Sequence, residues 1–481
     1  MRVRGRNSIR LPSRAHGCSP LAEPVEGISL SAMLSQFNIS AIASSVDAIF
    51  AEWDKTDSPG CAVAVVGDGQ AIYRKGFGMA NLEYGIPNSP STIYHVASIS
   101  KQFTAFAVQL LASDLKLSLD DDVRKYLPEL HDFGYSITLR HLLHHTSGLR
   151  DQWNLLGLSG WRSGDIITEE DILKTVWRQR ELNFEPGSEK YYSNTGYTLL
   201  GLITKRVSGV PLRQFCQERI FAPLGMSHTH FHDNNAEIVK GRAYSYSQES
   251  AGQFQNFPLQ YANVGATSLF TTVDDMILWD RNFDSPKVGD ADLLSEMHKG
   301  GILNNGVELD YASGLVNSLY RGLRTVGHDE ADAGFRTAYL RFPDQRLSIL
   351  VFANLSSFSP NSVARNIADI LLADLMIPTE EGKNDPPAVP IEFQVKKDAL
   401  LTYVGDYYSQ ELGVIYSISE SDGALAMNYP KGTAQLQPLE EDVFNAHPIG
   451  HIAFERGHEK ISGFRLDNGR VRNLSFEVWR R

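Results

Sequence analysis

A serine and a lysine three residues apart are the first residues of this chain that could carry out chemistry together. The motif Ser98-Ile-Ser-Lys101 begins a stretch whose apolar residues recur at helical spacing. Residues three apart on a helix share a face, so the Ser98 hydroxyl and the Lys101 amine can approach hydrogen-bonding distance. Burial would lower the pKa of Lys101 and let its neutral amine take the serine proton. Alone, the motif is also compatible with a helix cap followed by a surface lysine.

A tyrosine and an asparagine form the second motif, Tyr192-Ser-Asn194, just before another helical pattern. A tyrosine phenolate beside a lysine ammonium can act as a general base. An asparagine amide can hold both the lysine and a substrate carbonyl. Asn194 could instead be the N-cap of the helix that follows it, or serve both purposes.

The third motif, Gly327-His328-Asp-Glu330, leads into an extended segment. A histidine on a strand edge that faces the serine would anchor a substrate carboxylate. The next backbone N–H, that of Ala331, could join the N–H of Ser98 as an oxyanion hole.

Taken in this order, the three motifs resemble those of the serine β-lactamase and penicillin-binding-protein family. The nearest branch is that of the β-lactamase-like peptidases and esterases with a tyrosine base. The flanking segments agree over about residues 45–376, and the clearest of them are His95-Val-Ala-Ser-Ile-Ser-Lys-Gln-Phe-Thr104, Leu142-Leu-His-His-Thr-Ser-Gly148 and Phe221-Ala-Pro-Leu-Gly-Met226. The resemblance implies a mixed sheet flanked by helices beside an all-helical lobe, with the serine in the cleft between them. It implies neither a metal nor an organic cofactor.

One position departs from the family pattern. Two residues after His328, where the family usually has glycine, this chain has Glu330. A glutamate at this point would put bulk and negative charge on the wall of the cleft. We therefore expect weaker activity toward substrates that carry a carboxylate, such as penicillins.

The elements around the motifs predict an α/β fold of the β-lactamase/transpeptidase type followed by a small all-β barrel. Extended segments at 61–66 and 336–352 enclose a helical middle, which favours one sheet built from distant parts of the chain. Short alternating segments after residue 392 are typical of a barrel or sandwich. We divide the chain into a disordered or targeting tail (1–44), a serine hydrolase domain (45–377), a proline-rich linker (378–391) and a small barrel domain (392–481).

Composition excludes several classes of partner. The net charge of −12 argues against nucleic acid, whose phosphates favour basic surfaces. No apolar run approaches the roughly 20 residues that a membrane helix needs. The basic residues of the tail are followed by no continuous apolar stretch, so an ordinary secretory signal is not indicated. A cytoplasmic location is slightly favoured, and targeting by the basic tail stays open.

Two other arrangements could suggest different chemistry. The segment His228-Thr-His-Phe-His-Asp233 has alternating histidines, as some zinc hydrolases do. Its spacing differs from theirs and it follows a loop-like Pro-Leu-Gly-Met, so we expect a surface loop and no metal. A Ser-His-Asp triad that uses His145 or Asp329 is not favoured, because the chain has no Gly-x-Ser-x-Gly elbow.

These motifs predict an enzyme that cleaves an ester or amide through an acyl-enzyme on Ser98, with Lys101 and Tyr192 handling the proton. Candidate substrates are D-amino-acid peptides, short-acyl esters and β-lactams. Two alternatives stay open: a catalytically idle binding or sensor protein, and an acyltransferase that passes the acyl group to an alcohol or amine instead of water.

Overall fold

The computed structural model describes residues 39–378 and 397–480, apart from Ser163, Ala251 and Glu459. Most of the predicted tail and nearly all of the predicted linker lie outside the described residues. Within the described ranges no helix has the length and apolar character needed to cross a membrane.

A six-stranded sheet forms the centre of the first described range, residues 39–378. Its strands are β1 (Cys61–Gly67), β2 (Gln70–Phe77), β3 (Val316–Tyr320), β4 (Leu323–Asp332), β5 (Phe335–Phe342) and β6 (Leu347–Ala353). They lie in the order β3-β4-β5-β6-β1-β2, and every neighbouring pair is antiparallel. The sheet thus differs from the predicted mixed sheet in strand direction. As predicted, it joins segments far apart in the chain, since the helical lobe is inserted between β2 and β3.

Twelve helices accompany the sheet and the barrel in the described residues. They are α1 (Ile39–Ile49), α2 (Ser100–Ser113), α3 (Leu139–Leu143), α4 (Gln152–Leu158), α5 (Glu169–Trp177), α6 (Asn194–Ser208), α7 (Leu212–Cys216), α8 (Ala222–Leu224), α9 (Val273–Asp284), α10 (Ala291–His298), α11 (Pro360–Leu372) and α12 (Lys397–Leu400). Short strands lie at Met79–Asn81, Ile86–Pro87, Tyr94–His95, Ile167–Thr168, His230–Phe231, Tyr246–Gln248, Phe254–Asn256, Tyr261–Ala262 and Leu269–Thr271.

The two faces of the sheet belong to two hydrophobic cores, as the two-residue period of a strand requires. From β1, Ala62 and Ala64 pack into the core of the helical lobe, which contains α2. Val63 and Val65 pack into the opposite core with α1 and α11. Because all but the last two residues of α2 are buried, this helix lies inside the lobe. The turn Ala97–Ile99, which leads into α2, contacts β4 and β5 of the sheet.

The predicted small β domain is a closed barrel of eight antiparallel strands. They are β7 (Gly405–Ser409), β8 (Val414–Ser421), β9 (Ala424–Tyr429), β10 (Gly432–Glu440), β11 (Val443–Ala446), β12 (Gly450–Gly457), β13 (Lys460–Asn468) and β14 (Val471–Val478). Alternate residues of each strand point inward, which is why the sequence shows apolar and polar residues in alternation.

The barrel and the helical lobe share a core. Leu155 and Leu158 of α4 pack into the hydrophobic cluster of the barrel. Arg150, fully buried, donates to both carboxylate oxygens of Glu411 at 2.7 and 2.8 Å. The predicted linker is therefore not the only connection between the two regions, since apolar and ionic contacts hold them together.

Candidate active site

Ser98 lies on a single turn of 3₁₀ helix, Ala97–Ile99, which runs directly into α2. Ala97 has a φ of 47°, a left-handed conformation that an alanine adopts at a cost of roughly 1–2 kcal/mol. The Ser100 hydroxyl donates to the Ala97 carbonyl and accepts from the Leu269 amide at 2.9 Å, and so fixes this turn. Strain of this kind is characteristic of functional sites, and here it directs Ser98 toward the cleft.

The Lys101 amine contacts the Ser98 hydroxyl directly. Its Nζ lies 2.7 Å from Ser98 Oγ and donates to Asn194 Oδ1 at 2.8 Å and to the Ala266 carbonyl at 2.7 Å. Burial lowers the pKa of Lys101 to about 7, although the charges of Glu330 and Asp151 oppose this change. A lysine in this state is half neutral near pH 7 and can act as a general base.

Tyr192 completes the group around the serine. Its hydroxyl donates to Glu330 Oε1 at 3.2 Å, and its ring lies 4.8 Å from Lys101 Nζ. Tyr192 and Ser98 line the same cavity. Burial and the Glu330 charge hold the pKa of Tyr192 well above 10. The side chain is therefore a phenol. This state differs from the predicted phenolate. A phenol can donate a proton, but it cannot be the base that first removes the proton of Ser98.

Asn194 positions Lys101 rather than capping a helix with its side chain. The N-cap of α6 is Ser193, and the Asp151 carboxylate accepts from both the backbone N–H of Asn194, at 2.7 Å, and its side-chain amide, at 2.8 Å. The N-cap interpretation of Asn194 is therefore wrong. A carboxylate from another part of the chain satisfies the helix N-terminus and orients the amide oxygen toward Lys101.

His328 does not reach the cleft wall, contrary to the expectation that it anchors a substrate carboxylate. It is buried, with Nδ1 2.8 Å from the Gly314 carbonyl and Nε2 3.2 Å from Glu330 Oε1. Both ring nitrogens thus face oxygen atoms of the protein. Glu330, which is partly buried, lies beside Tyr192 and Ala331 instead.

The Glu330 carboxylate lies beside Tyr192 and lines the same cavity as Ser98 and Asp332. Burial alone would raise its pKa, but the hydrogen bond and charge of His328, the charge of Lys101 and the Ala331 N–H lower the pKa of Glu330 to about 2. The Ala331 amide donates to Glu330 Oε2 at 3.2 Å. A substrate oxyanion that binds this amide must therefore displace the carboxylate.

These side chains surround one open cavity of about 310 Å³. Its wall includes Ser98, Tyr192, Asn194, Glu330 and Ala331. Four of the six predicted site residues therefore line the cavity: Ser98, Tyr192, Asn194 and Ala331. Lys101 lies directly behind Ser98. The sixth, His328, does not line the cavity.

Comparison with known proteins agrees with this geometry. The Beta-lactamase family model matches residues 46–374. The chain belongs to the beta-lactamase family. A D-aminopeptidase from Gluconobacter oxydans is 30% identical over 375 residues, which cover 77% of this chain and 67% of the relative. A penicillin-binding protein from Bacillus subtilis is 30% identical over 322 residues, which cover 63% of this chain and 69% of that protein.

Among solved structures, the octameric penicillin-binding protein homologue from Pyrococcus abyssi matches with a TM-score of 0.61 at 24% identity, over 92% of this chain and all of that chain. This match confirms the predicted fold class. The family match and the D-aminopeptidase relatives together indicate that this member of the beta-lactamase family is a serine hydrolase.

Two residues of this beta-lactamase-family site escape the sequence motifs. Asp151 is fully buried and accepts hydrogen bonds from Asn194. It is the N-cap of α4, three residues after Gly148, and this position is the sequence signal that could have identified it. Arg470 comes from the barrel, where it precedes β14 in the Asn468-Gly469 turn. Its guanidinium lies 4.5 Å from the Tyr192 ring and 3.8 Å from Asp151. Only the packing of the barrel against the lobe could reveal it.

A surface loop was expected for the alternating histidines, but the structure places them elsewhere. His230–Phe231 is a strand paired with Leu269–Thr271, and His232 is 3% exposed. The apolar neighbour Phe231 is buried and pulls the segment into the core of the lobe, which the Pro-Leu-Gly-Met sequence before it does not indicate.

Proposed function

We propose that the chain hydrolyses amide or ester bonds next to an amino acid with a free amino group, through an acyl-enzyme on Ser98. The observation that carries this proposal is the contact of 2.7 Å between Ser98 Oγ and a buried Lys101 whose pKa is about 7. D-amino-acid peptides are the favoured substrates, because several relatives in the family are named D-aminopeptidase.

Acylation would begin with transfer of the Ser98 proton to neutral Lys101 as Ser98 Oγ attacks the substrate carbonyl. The amides of Ser98 and Ala331 would hold the resulting oxyanion. Tyr192, as a phenol that lines the cavity beside Ser98 and Lys101, would relay a proton to the leaving amine and recover it from Lys101. Water would then release the acyl group by the same steps in reverse.

Of the three charged side chains that line the cavity, Glu330, Asp332 and Arg470, two favour a small zwitterionic substrate. Glu330, ionised and beside Tyr192, can receive the ammonium group of a free amino terminus. Arg470, which lines the same cavity, can pair with an anionic group of a short peptide. Since an opposite charge in a partly desolvated site adds to affinity, removal of the ammonium group should weaken binding.

The test is hydrolysis of four p-nitroanilides by the full chain: D-alanyl, L-alanyl, N-acetyl-D-alanyl and succinyl-D-alanyl. We expect the highest kcat/KM for D-alanyl, with a loss of at least about tenfold on N-acetylation, as one ionic contact predicts. The Glu330→Gln variant should lose most of this preference. Equal kcat/KM for the free and acetylated substrates would contradict the role of Glu330, and a preference for the L-isomer would contradict the substrate class.

A further inference from the structure

Three side chains outside the catalytic cavity converge beside the short strand His230–Phe231. His230 and His232 are two residues apart and project on the same side, because side chains alternate along a strand. Their ring centroids are 5.6 Å apart, and the His232 ring stacks on Phe270 at 4.4 Å. Glu237 lies close by, with Oε2 3.9 Å from His232 Nδ1.

His232 has unused hydrogen-bonding capacity although its side chain is buried. In the described residues, neither of its ring nitrogens has a hydrogen-bond partner, and Nε2 of His230 has none either. A buried polar atom left in this way costs about 1–3 kcal/mol. Buried polar atoms without a partner are rare in native folds, and an ion bound here would satisfy one nitrogen of each ring.

The third side chain, that of Glu237, is held in place by Arg213. Arg213 donates to both oxygens of Glu237, at 2.6 and 2.8 Å, and this fixes the carboxylate toward the histidines. A hydrogen bond from outside the ligand set is typical of carboxylates that bind metals.

We infer that His230, His232 and Glu237 bind one divalent transition-metal ion, with zinc as the first candidate. One ligand atom from each residue lies within 4.8 Å of the other two. Two histidines and a carboxylate are a ligand set of three-ligand zinc sites, and bonds of about 2.0–2.2 Å require these atoms to close by only roughly 1 Å. Arg213 remains on the outer side of Glu237, since a carboxylate oxygen can accept from an arginine and bind a metal at once.

The fourth position on the metal would face a second cavity of about 350 Å³, whose wall includes His232, Arg242 and Phe270. A water or a small anion could occupy that position. His95 also lines this cavity, and Asp332, which lies 3.0 Å from it, lines the catalytic cavity. The metal would thus stabilise the wall between the two cavities, while the chemistry on Ser98 needs none of its ligands.

The test measures zinc binding to the full chain, prepared without a histidine tag and stripped with a chelator. We expect one equivalent of bound zinc by elemental analysis and a melting temperature that rises with zinc concentration. His232→Ala should weaken binding by more than the roughly 10–100-fold that loss of an outer-shell partner costs. His228→Ala, which changes an exposed histidine of the same segment, is the matched control and should leave zinc affinity unchanged.

Glu237→Gln keeps the proposal testable if His232→Ala does not fold. It preserves the shape of the side chain and removes the anionic ligand, so it should also lose zinc affinity at least about tenfold. Less than half an equivalent of zinc in the wild type, or the same zinc affinity in the wild type and in a folded ligand variant, would overturn the inference. Both measurements are independent of hydrolysis and of the proposed substrate.

Discussion

In the proposed mechanism, Lys101 sets the pH at which the site becomes active, because only its neutral amine can take the Ser98 proton. Burial places the pKa of Lys101 at about 7. Below this pH the amine is protonated, so kcat/KM should fall about tenfold for each pH unit, and above it kcat/KM should level off. The measurement is the pH–rate profile of kcat/KM, which reports the free enzyme.

Glu330→Gln tests whether the acid limb of that profile belongs to Lys101. The Glu330 charge stabilises the lysine ammonium and raises the pKa of Lys101. Its removal should therefore lower the pKa of Lys101 and move the acid limb to lower pH. An acid limb that stays in place in this variant would assign the limb to another group.

Tyr192→Phe removes the phenol while it retains the ring that packs against Lys101 and Arg470. If the phenol relays the proton to the leaving group, kcat should fall by about 10²-fold or more. The loss should be smaller for an activated ester, whose leaving group needs no proton. Equal losses for an amide and for an activated ester would argue against the relay.

Glu330→Gly removes an anionic group from one wall of the cavity and restores the residue usual in the family. Acylation by a penicillin, which carries a carboxylate, should increase more than acylation by a neutral ester, because repulsion is removed for one substrate only. Arg470 in the same cavity offsets part of this repulsion in the wild type. Rates of acylation by the two reagents measure the difference, and equal changes would mean that the charge of Glu330 does not govern selectivity.

At the scale of elements, the sequence predicts what depends on local spacing. The Ser98–Lys101 contact follows from the first turns of one helix, and the barrel strands follow from their two-residue alternation and their Gly-containing turns. The cap of α6 could not be predicted in this way. Asn194 looks like an N-cap, yet Ser193 holds that position. The Asp151 carboxylate accepts from the Asn194 N–H, and nothing local to α6 indicates this contact.

Local sequence also failed to predict the positions of His328 and of the strand His230–Phe231. His328 was expected at the cleft because of its place before a strand, but the Gly314 carbonyl on one side and Glu330 on the other hold it behind the wall. His230 and His232 were expected in a loop. In the structure His230–Phe231 pairs with Leu269–Thr271, and local sequence does not reveal this pairing because the two segments are distant in the chain. Non-local pairing and burial decide both cases.

At the scale of the whole molecule, the barrel is a structural part of the catalytic region. We predict that removal of residues 392–481 lowers the melting temperature or causes aggregation, because it exposes Leu155 and Leu158 and takes away the carboxylate that pairs with buried Arg150. Thermal unfolding of the truncated and full chains measures the effect. An unchanged cooperative transition would show that the shared core contributes little.

Glu411→Gln isolates the ionic part of this interface. It leaves Arg150 buried without its carboxylate, and loss of one partner of a buried ion pair costs about 3–5 kcal/mol. Chemical denaturation of the variant gives the change in free energy of unfolding. As a matched control, Glu181→Gln removes an exposed carboxylate 3.7 Å from the same guanidinium and should change it by no more than about 1 kcal/mol.

The central claim is that Ser98 carries the acyl group during turnover. Intact-protein mass spectrometry after rapid acid quench, with a D-alanyl ester as substrate, tests it most directly. We predict a mass increase of one acyl group in the wild type, assigned by peptide mapping to Ser98, and neither adduct nor turnover above about a thousandth of wild type in Ser98→Ala. An adduct on another residue, or turnover by Ser98→Ala within about tenfold of the wild type, would contradict the account.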